Sequence, residues 1–520
     1  MEKLKELPIG IQNFESLRRD NYLYVDKTAL VYKLATTGKY YFLSRPRRFG
    51  KSMLISTLHA YFDGKKELFD GLAISELEKD WVKYPVLHID LNTGEYKTAD
   101  ALRKKLTLML SEWENAYGRN ELEEDLGDRF AGVIKRAAEK TGRNVVILVD
   151  EYDKPLLQTI TDKELNDDYR GTLKSFYGVL KSMDEYIRFA LLTGVTKFSK
   201  VSVFSDLNNL KEISMRQDYD AICGITDEEI DTVFAPYVQR MAEAQGVTME
   251  DVREKLRTYY DGYHFAENTI AIYNPFSLLN ALDSKQFKNY WFETGTPTFL
   301  VDTLRNKNYL LRDVNNVEVS AEILNSIDDF EKNPLGLLFQ SGYITIKGYT
   351  PDETGGLYTV GYPNREVEVS FIRYLLPYYA NASKPESEFF IQNFVKDVRA
   401  GNAESFLYRL QSFFADTSYN LTGKECERTY QNVIYIISKL MGFYVQAEYC
   451  TSYGRIDMVL QTDNFTYVME FKFDGTAEEA LQQINDKSYT MPFEVGNRKV
   501  IKIGLNFSKQ TRNIERWVVE

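Results

Sequence analysis

YYFLSRPRRFGKSMLISTLHAYF, Tyr40 to Phe62, is the stretch on which the fold turns. Tyr40-Tyr41-Phe42-Leu43 is an aromatic and apolar run with β preference. The loop Ser44–Gly50 follows. From Lys51 to Phe62 the apolar residues fall at 54, 55, 58, 61 and 62, which is helical spacing. A strand feeding a loop and then a helix aims backbone N–H groups and the helix dipole at an anion. In such a loop the lysine reaches the outer phosphates of a nucleotide and the serine hydroxyl holds Mg²⁺. Arg45, Pro46, Arg47, Arg48, Phe49, Gly50, Lys51, Ser52 and Met53 are therefore the expected nucleotide-contacting set, with Ser52 on the metal. The general pattern has glycine where this chain has Arg45. Residues 1–60 hold 11 Lys/Arg against 5 Asp/Glu. That local excess of positive charge concentrates a nucleoside triphosphate such as ATP.

Gly-Lys-Ser recurs by chance, so its surroundings decide. Val145 to Val149 is a continuous apolar run ending in Asp150-Glu151, which suits a central parallel strand buried on both faces. Asp150 is placed to hold the metal shell and Glu151 to polarise the attacking water. Pro85–Leu91 reads as a strand lying between the two motifs. Ile187–Leu192 reads as a further strand, ending at Thr193-Gly194, with Thr193 as a sensor of the γ-phosphate. Helices are expected at 98–117 and 121–140. Alternating strands and helices indicate an α/β class with a mainly parallel sheet.

The 520 residues predict about three domains. Boundaries are expected at 1–224, a nucleotide-binding domain; at 225–385, a mostly helical domain; and at 386–520, a helical linker with a last α/β domain. Thr226 and Glu229 form a helix-start signature. Residues 342–346 and 357–361 are expected to make a wing-like hairpin. The net charge of -12 excludes a uniformly basic nucleic-acid coat. Three Cys and three His exclude a disulfide scaffold, a Cys-rich zinc site and most His-based chemistry. No apolar h-region opens the chain and no run approaches a membrane span, so a cytoplasmic location without membrane contact is expected. Oligomeric state stays open.

A second constellation lies near the end. Gly454-Arg455-Ile456-Asp457 opens one predicted strand, and Glu470-Phe471-Lys472 closes the next. Strand alternation puts Glu470 and Lys472 on one face, and a turn at 462–464 brings Asp457 towards Glu470. Two carboxylates with the carbonyl of Phe471 make an oxygen-rich site for Mg²⁺, with Mn²⁺ as an alternative. Lys472 then orients water or stabilises developing phosphate charge. This arrangement suits metal-dependent cleavage of DNA or RNA phosphodiesters. The expected order is a helix at 424–441, strands at 443–449, 455–461 and 465–473, a helix at 477–488 and a strand at 498–506. Glu427 and Glu448 are candidate extra acids. Gln482, Gln483 and Tyr489 are candidate contacts to a nucleic-acid backbone.

Together these stretches resemble a bacterial family of AAA-ATPase-like proteins with a C-terminal PD-(D/E)XK nuclease domain. SRPRRFGKS (Ser44–Ser52), ILVDEYDKP (Ile147–Pro155), LTGVTKFSK (Leu192–Lys200), Asn208-Asn209-Leu210, Cys223-Gly224-Ile225-Thr226, YYDGYHF (Tyr259–Phe265) and the GRID…EFK pair carry it. The resemblance implies an ASCE/AAA-like P-loop domain, a helical middle with a β element, and a restriction-endonuclease-like end. It accommodates Arg45, because the family is similar in placing Arg-Arg-Phe before Gly-Lys-Ser. It implies Asp457, Glu470 and Lys472 as the nuclease positions. The competing reading is a nucleotide-dependent switch whose last domain binds nucleic acid or protein without cleaving. The discriminator is whether Asp457, Glu470 and Lys472 converge in space. Tyr152, Asp153, Trp291, Tyr290 and the three Cys are read as packing residues, His264 as a satisfied loop histidine, and Arg216 as one half of a surface pair.

Overall fold

The computed structural model describes residues 4–198, 209–291, 300, 304, 314–325, 327, 330, 333–353, 355–380, 384–415, 432–437, 439–440, 442, 444–451, 454–473, 475–508, 510–511 and 513–520. The chain forms two compact units, Met1–Gly295 with Asn316–Val367, and Thr296–Asn315 with Glu368–Glu520.

The first unit is built on strands β1 (Tyr40–Ser44), β2 (Val86–Asp90), β3 (Val145–Asp150), β4 (Ile187–Gly194) and β5 (Lys211–Glu212). They pair in parallel in the order β2-β3-β4-β1-β5. β3 is buried along its whole length, as its unbroken apolar run requires. The strand expected between the two motifs in sequence forms as β2. In space β2 is at the sheet edge, and β4 separates the phosphate-loop strand from the carboxylate strand. The C-terminal ends of β1, β3 and β4 therefore sit side by side, with Leu43 opposite Thr193 and Val149 opposite Leu192. Ligands of parallel sheets bind at this end of the strands.

The helix expected from 121 begins at Leu126, because the Asp125 side chain accepts from Asp128 N and caps it there. Beyond residue 225 the same unit turns helical. The Thr226–Glu229 capping box is formed in both directions at the start of the Asp227–Thr232 helix. Helices Ala235–Gln245, Met249–Tyr260 and Pro275–Ser284 enclose a core that includes Phe234, Val238, Leu256, Tyr260 and Leu278. Short strands β6 (Ile225–Thr226) and β7 (Ile272–Tyr273) pair there. The expected hairpin forms from β9 (Thr345–Thr350) and β10 (Leu357–Gly361), joined by a third strand, β8 (Val317–Ser320), on the far side of β10.

The second unit carries helices Lys384–Arg399 and Ala403–Ala415 and a five-stranded sheet. Its strands run in sequence order: β11 (Tyr444–Thr451), β12 (Gly454–Gln461), β13 (Phe465–Phe473), β14 (Lys499–Ser508) and β15 (Asn513–Val519). β13 and β14 are parallel, linked through the Ala477–Asp486 helix, and the other pairs are antiparallel. β15 has no counterpart in the sequence reading. It is an edge strand with Glu515 and Arg516 exposed side by side, which masks the alternation that marks a strand. Most of the predicted helix at 424–441 lies outside the described residues; 432–437 are helical. Among the described residues no helix is long and apolar enough to cross a membrane.

Candidate functional site

The phosphate loop turns from β1 into the Lys51–Phe62 helix through two residues with positive φ, Arg48 at 69° and Gly50 at 92°. At Gly50 that conformation costs little because there is no Cβ. Lys51 is the first helical residue and is buried, and its Nζ donates to the carbonyls of Arg45 (2.9 Å) and Pro46 (3.1 Å). Burial pulls its pKa down, against the nearby charges of Glu151, Asp150 and Asp153. Asp150, at the end of β3, is buried, and its Oδ1 accepts from the Thr193 hydroxyl at 2.9 Å. Glu151 follows with φ at 51°, a left-handed conformation rarely adopted by a side chain of its size. Burial raises the Glu151 pKa, and the Lys51 charge partly opposes that. Lys154 Nζ lies 4.0 Å from Glu151 Oε2 and is itself held by Asn92 O and Asn92 Oδ1.

The structure therefore brings Lys51, Asp150 and Glu151 to one end of the sheet, as their spacing predicted. It corrects Arg45. That guanidinium does not face a ligand. It is 1 % exposed, donates to Ser214 O (2.6 Å) and Ser44 O (3.0 Å), and stacks 4.1 Å above the Phe265 ring. Burial lowers its pKa to about 10. Thr193 is fully buried, so its hydroxyl meets Asp150 rather than solvent. Phe49 is buried edge-on to Tyr263 (4.8 Å) and Phe265 (5.3 Å), and Pro46 is buried where a Cβ on Gly342 would lie 2.6 Å away. Arg47 gives its carbonyl to Trp291 Nε1 at 3.1 Å, and the Arg48 guanidinium lies 4.7 Å over the Phe276 ring. Ser52 is half-buried.

Beside the loop is a cavity of about 170 Å³ that the sequence reading missed. Phe49, Gly50, Met53, Val25, Gly224 and Phe234 are among the residues that line it. Its lining is mainly apolar, with Lys27 and backbone among its polar groups. Its lining comes from stretches far apart in the chain, around residues 8–31, 49–57, 222–234 and 275–279, so no local pattern marks it.

In the second unit β12 and β13 pair in register as far as Met458 opposite Met469. One step further, Asp457 Oδ2 accepts from Phe471 N at 2.8 Å, so the acid takes up a strand N–H. Glu470 is buried, and Lys472 Nζ lies 3.9 Å from its Oε1. Desolvation first, and the Asp457 charge second, push Glu470 up to about 8, with Lys472 opposing. Its Oε2 is buried with no hydrogen-bond partner. A carboxylate oxygen left so is costly unless it is protonated or meets a cation. Asp457 and Glu470 thus offer two carboxylates, hard oxygen donors of the kind that fit a hard divalent ion. Among the described residues no group of three or more His, Cys, Asp and Glu gathers for a metal.

Gln483 lies between Glu470 and Lys472, donating through Nε2 to Glu470 Oε1 and accepting at Oε1 from Lys472 Nζ. Tyr489 is buried, and Gln482 is exposed. Tyr489 is thus unavailable as the backbone contact that its position suggested, and the Gln483 amide is turned inward. Glu448 belongs to β11, whose side chains lie outside the described set, and so does the whole of Glu427.

A family model described as "Predicted AAA-ATPase" matches residues 8–204, and one for the PD-(D/E)XK nuclease superfamily matches residues 425–517. The chain is also 38% identical over 525 residues to "Uncharacterized protein in vnfD 5'region" of Azotobacter chroococcum mcd 1, covering 99% of each. The chain belongs to the AAA-ATPase-like family that carries a C-terminal PD-(D/E)XK nuclease-superfamily domain.

The AAA-ATPase-like match takes in β1 to β4, hence the phosphate loop, Asp150, Glu151 and Thr193. The PD-(D/E)XK match takes in Asp457, Glu470, Lys472 and Gln483. Domains of these types generally use ATP and divalent metals. The packing expectations hold for Tyr152, Asp153, Trp291 and Cys223, while Cys426 and the Cys450 side chain lie outside the described residues. Tyr152 and Asp153 are fully buried, Asp153 accepting from Val195 N and Thr196 N. His264 Nδ1 pairs with Thr269 O at 2.9 Å, and Arg216 pairs with Asp218 at the surface.

Proposed function

We propose that the AAA-ATPase-like domain binds and hydrolyses ATP and that the PD-(D/E)XK domain cleaves nucleic-acid phosphodiesters, DNA or RNA. The observation that carries this reading is Glu470, a buried acid with one partnerless oxygen, standing with Asp457 and Lys472 at the end of paired strands. A switch that only binds has no use for so costly a group. In this reading residues 1–224 hold nucleotide, 225–385 respond to it, and 386–520 cut, in the cytoplasm.

In the first site Lys51 exchanges the Arg45 and Pro46 carbonyls for phosphate oxygens, while backbone N–H groups at the helix start orient the nucleotide. Ser52 and Asp150 would hold Mg²⁺, and Thr193 fixes the Asp150 carboxylate through Oδ1. Glu151 takes the proton of the attacking water, and its raised pKa brings it closer to the working range of a general base. The cavity beside Met53 encloses the base. In the second site Asp457, Glu470 and the Phe471 carbonyl would hold Mg²⁺ or Mn²⁺. When bound, such an ion supplies an activated water and neutralises phosphate charge. Lys472 orients that water and faces the developing negative charge.

The test is a cleavage assay on single-stranded DNA, double-stranded DNA and RNA with Mg²⁺ or Mn²⁺, with and without ATP. Lys51→Ala is expected to abolish ATP binding. Lys472→Ala is expected to abolish cleavage and leave ATP binding intact. Cleavage of none of the three substrates under any nucleotide condition refutes the nuclease half. Unchanged ATP affinity in Lys51→Ala refutes the assignment of the phosphate loop.

A further inference from the structure

We infer that Gln483 is a positioning residue of the cleavage site: its carboxamide keeps Lys472 from pairing directly with Glu470, so that a fixed oxygen of Glu470 faces the cation. This rests on the nuclease reading above. Glu470 and Lys472 are two residues apart on β13 and share a face. A lysine and a carboxylate so placed have every reason to close to the ~2.7–2.9 Å of a charge-assisted hydrogen bond. Here they stand 3.9 Å apart, with Gln483 bonded to both.

A carboxamide alone suits this place. It carries a donor end for the carboxylate and an acceptor end for the ammonium, and no charge of its own. Its effect on Glu470 is asymmetric. Oε1 is taken by the Gln483 amide, and Oε2 is left buried without a partner, on the same carboxylate that neighbours Asp457. The cation is thereby offered one defined oxygen from Glu470.

The position of Gln483 depends on the backbone beneath it. Glu470 pairs in parallel register with Gly504 on β14. A Cβ on Gly504 would sit 2.2 Å from Ala477 O and 2.6 Å from Leu481 N. The missing side chain lets the Ala477–Asp486 helix lie directly on the sheet, and this brings its Gln483 down to Glu470. Thr476 and Glu479 fix the start of that helix with a capping box. Without the carboxamide, Lys472 is free to close on Glu470, and a cation then has to compete with an ammonium for the carboxylate.

The full-length, nucleotide-free protein is titrated with Mn²⁺ and followed by the electron paramagnetic resonance of the free ion. Asp457→Ala identifies the binding event that belongs to this site. Gln483→Ala is expected to weaken that event about tenfold, the size of one hydrogen bond to a charged group. The double variant Gln483→Ala/Lys472→Met is expected to return to the affinity of Lys472→Met alone, which a general loss of structure would not do. Gln483→Leu keeps the bulk of the side chain and serves if the alanine variant does not fold. Wild-type affinity in both Gln483 variants overturns the inference, and so does a double variant that stays as weak as the single one. Absence of any Asp457-dependent Mn²⁺ binding in the unsubstituted protein overturns the metal-site reading itself, before Gln483 is touched.

Discussion

Raising the pH from about 6 to about 9 is expected to tighten divalent-cation binding at the C-terminal site, by an amount that Glu470 sets. Burial, reinforced by the Asp457 charge, carries this acid from 4.5 to about 8. Near neutral pH a cation therefore meets a protonated carboxyl and has to displace the proton. Each pH unit below the pKa weakens apparent affinity about tenfold, or about 1.4 kcal/mol. Two units below, at pH 6, binding is thus roughly a hundredfold weaker than on the plateau reached by pH 9. At pH 7 about 0.9 proton leaves per ion bound, and at pH 9 about 0.1. Calorimetric titration of Mn²⁺ in two buffers of different ionisation enthalpy reads that proton count directly. Asp457→Ala again identifies the site. A release near zero at pH 7, or an affinity flat between pH 6 and pH 9, would show that Glu470 is already ionised and would refute the argument from burial.

Glu151→Gln keeps the shape of the side chain and removes the base. It is expected to retain ATP affinity and slow hydrolysis by about 10²–10⁴-fold, read by steady-state phosphate release. Gly504→Ala forces a Cβ to 2.2 Å from Ala477 O, and the overpacking should cost about 1–3 kcal/mol in thermal or denaturant unfolding of the second unit. Asp261 is buried, has an oxygen without a partner, and is raised by burial to about 6. Because the folded state holds its proton more tightly than the unfolded one, its contribution is full below about pH 4 and is lost as pH rises to about 6. The stability difference between Asp261→Asn and the unsubstituted protein should shift by about 3 kcal/mol in favour of the variant from pH 4 to pH 7.5. No shift with pH would mean that Asp261 titrates normally.

The legible parts of this chain were local. The burial of β3 follows from five consecutive apolar residues. The Asp227–Thr232 helix starts where Thr226 and Glu229 said it would, because a capping box needs only residues three apart. Glu470 and Lys472 share a face because a strand alternates. The misses were long-range. Arg45 sits in a loop rich in positive charge, and nothing nearby in sequence says that Ser214 and Phe265 will enclose it. Gln483 read as a surface contact because the Gly504 that lets its helix descend is 21 positions away.

Sequence by itself determined the residue types of the two candidate sites: carboxylates, lysines, a serine and backbone, in two stretches that fall in the AAA-ATPase-like and PD-(D/E)XK domains. Residue type and short spacing carry that information, because a side chain's chemistry and its strand or helix face are local properties. Tertiary structure decided which of these groups are buried and what each pairs with. It inserted β4 between the phosphate loop and Asp150, turned Arg45 inward, opened the cavity beside Met53, and left one oxygen of Glu470 without a partner. Each of these depends on which distant backbone packs alongside, and burial, which sets both the charge state and the accessibility of a group, exists only once that packing is complete.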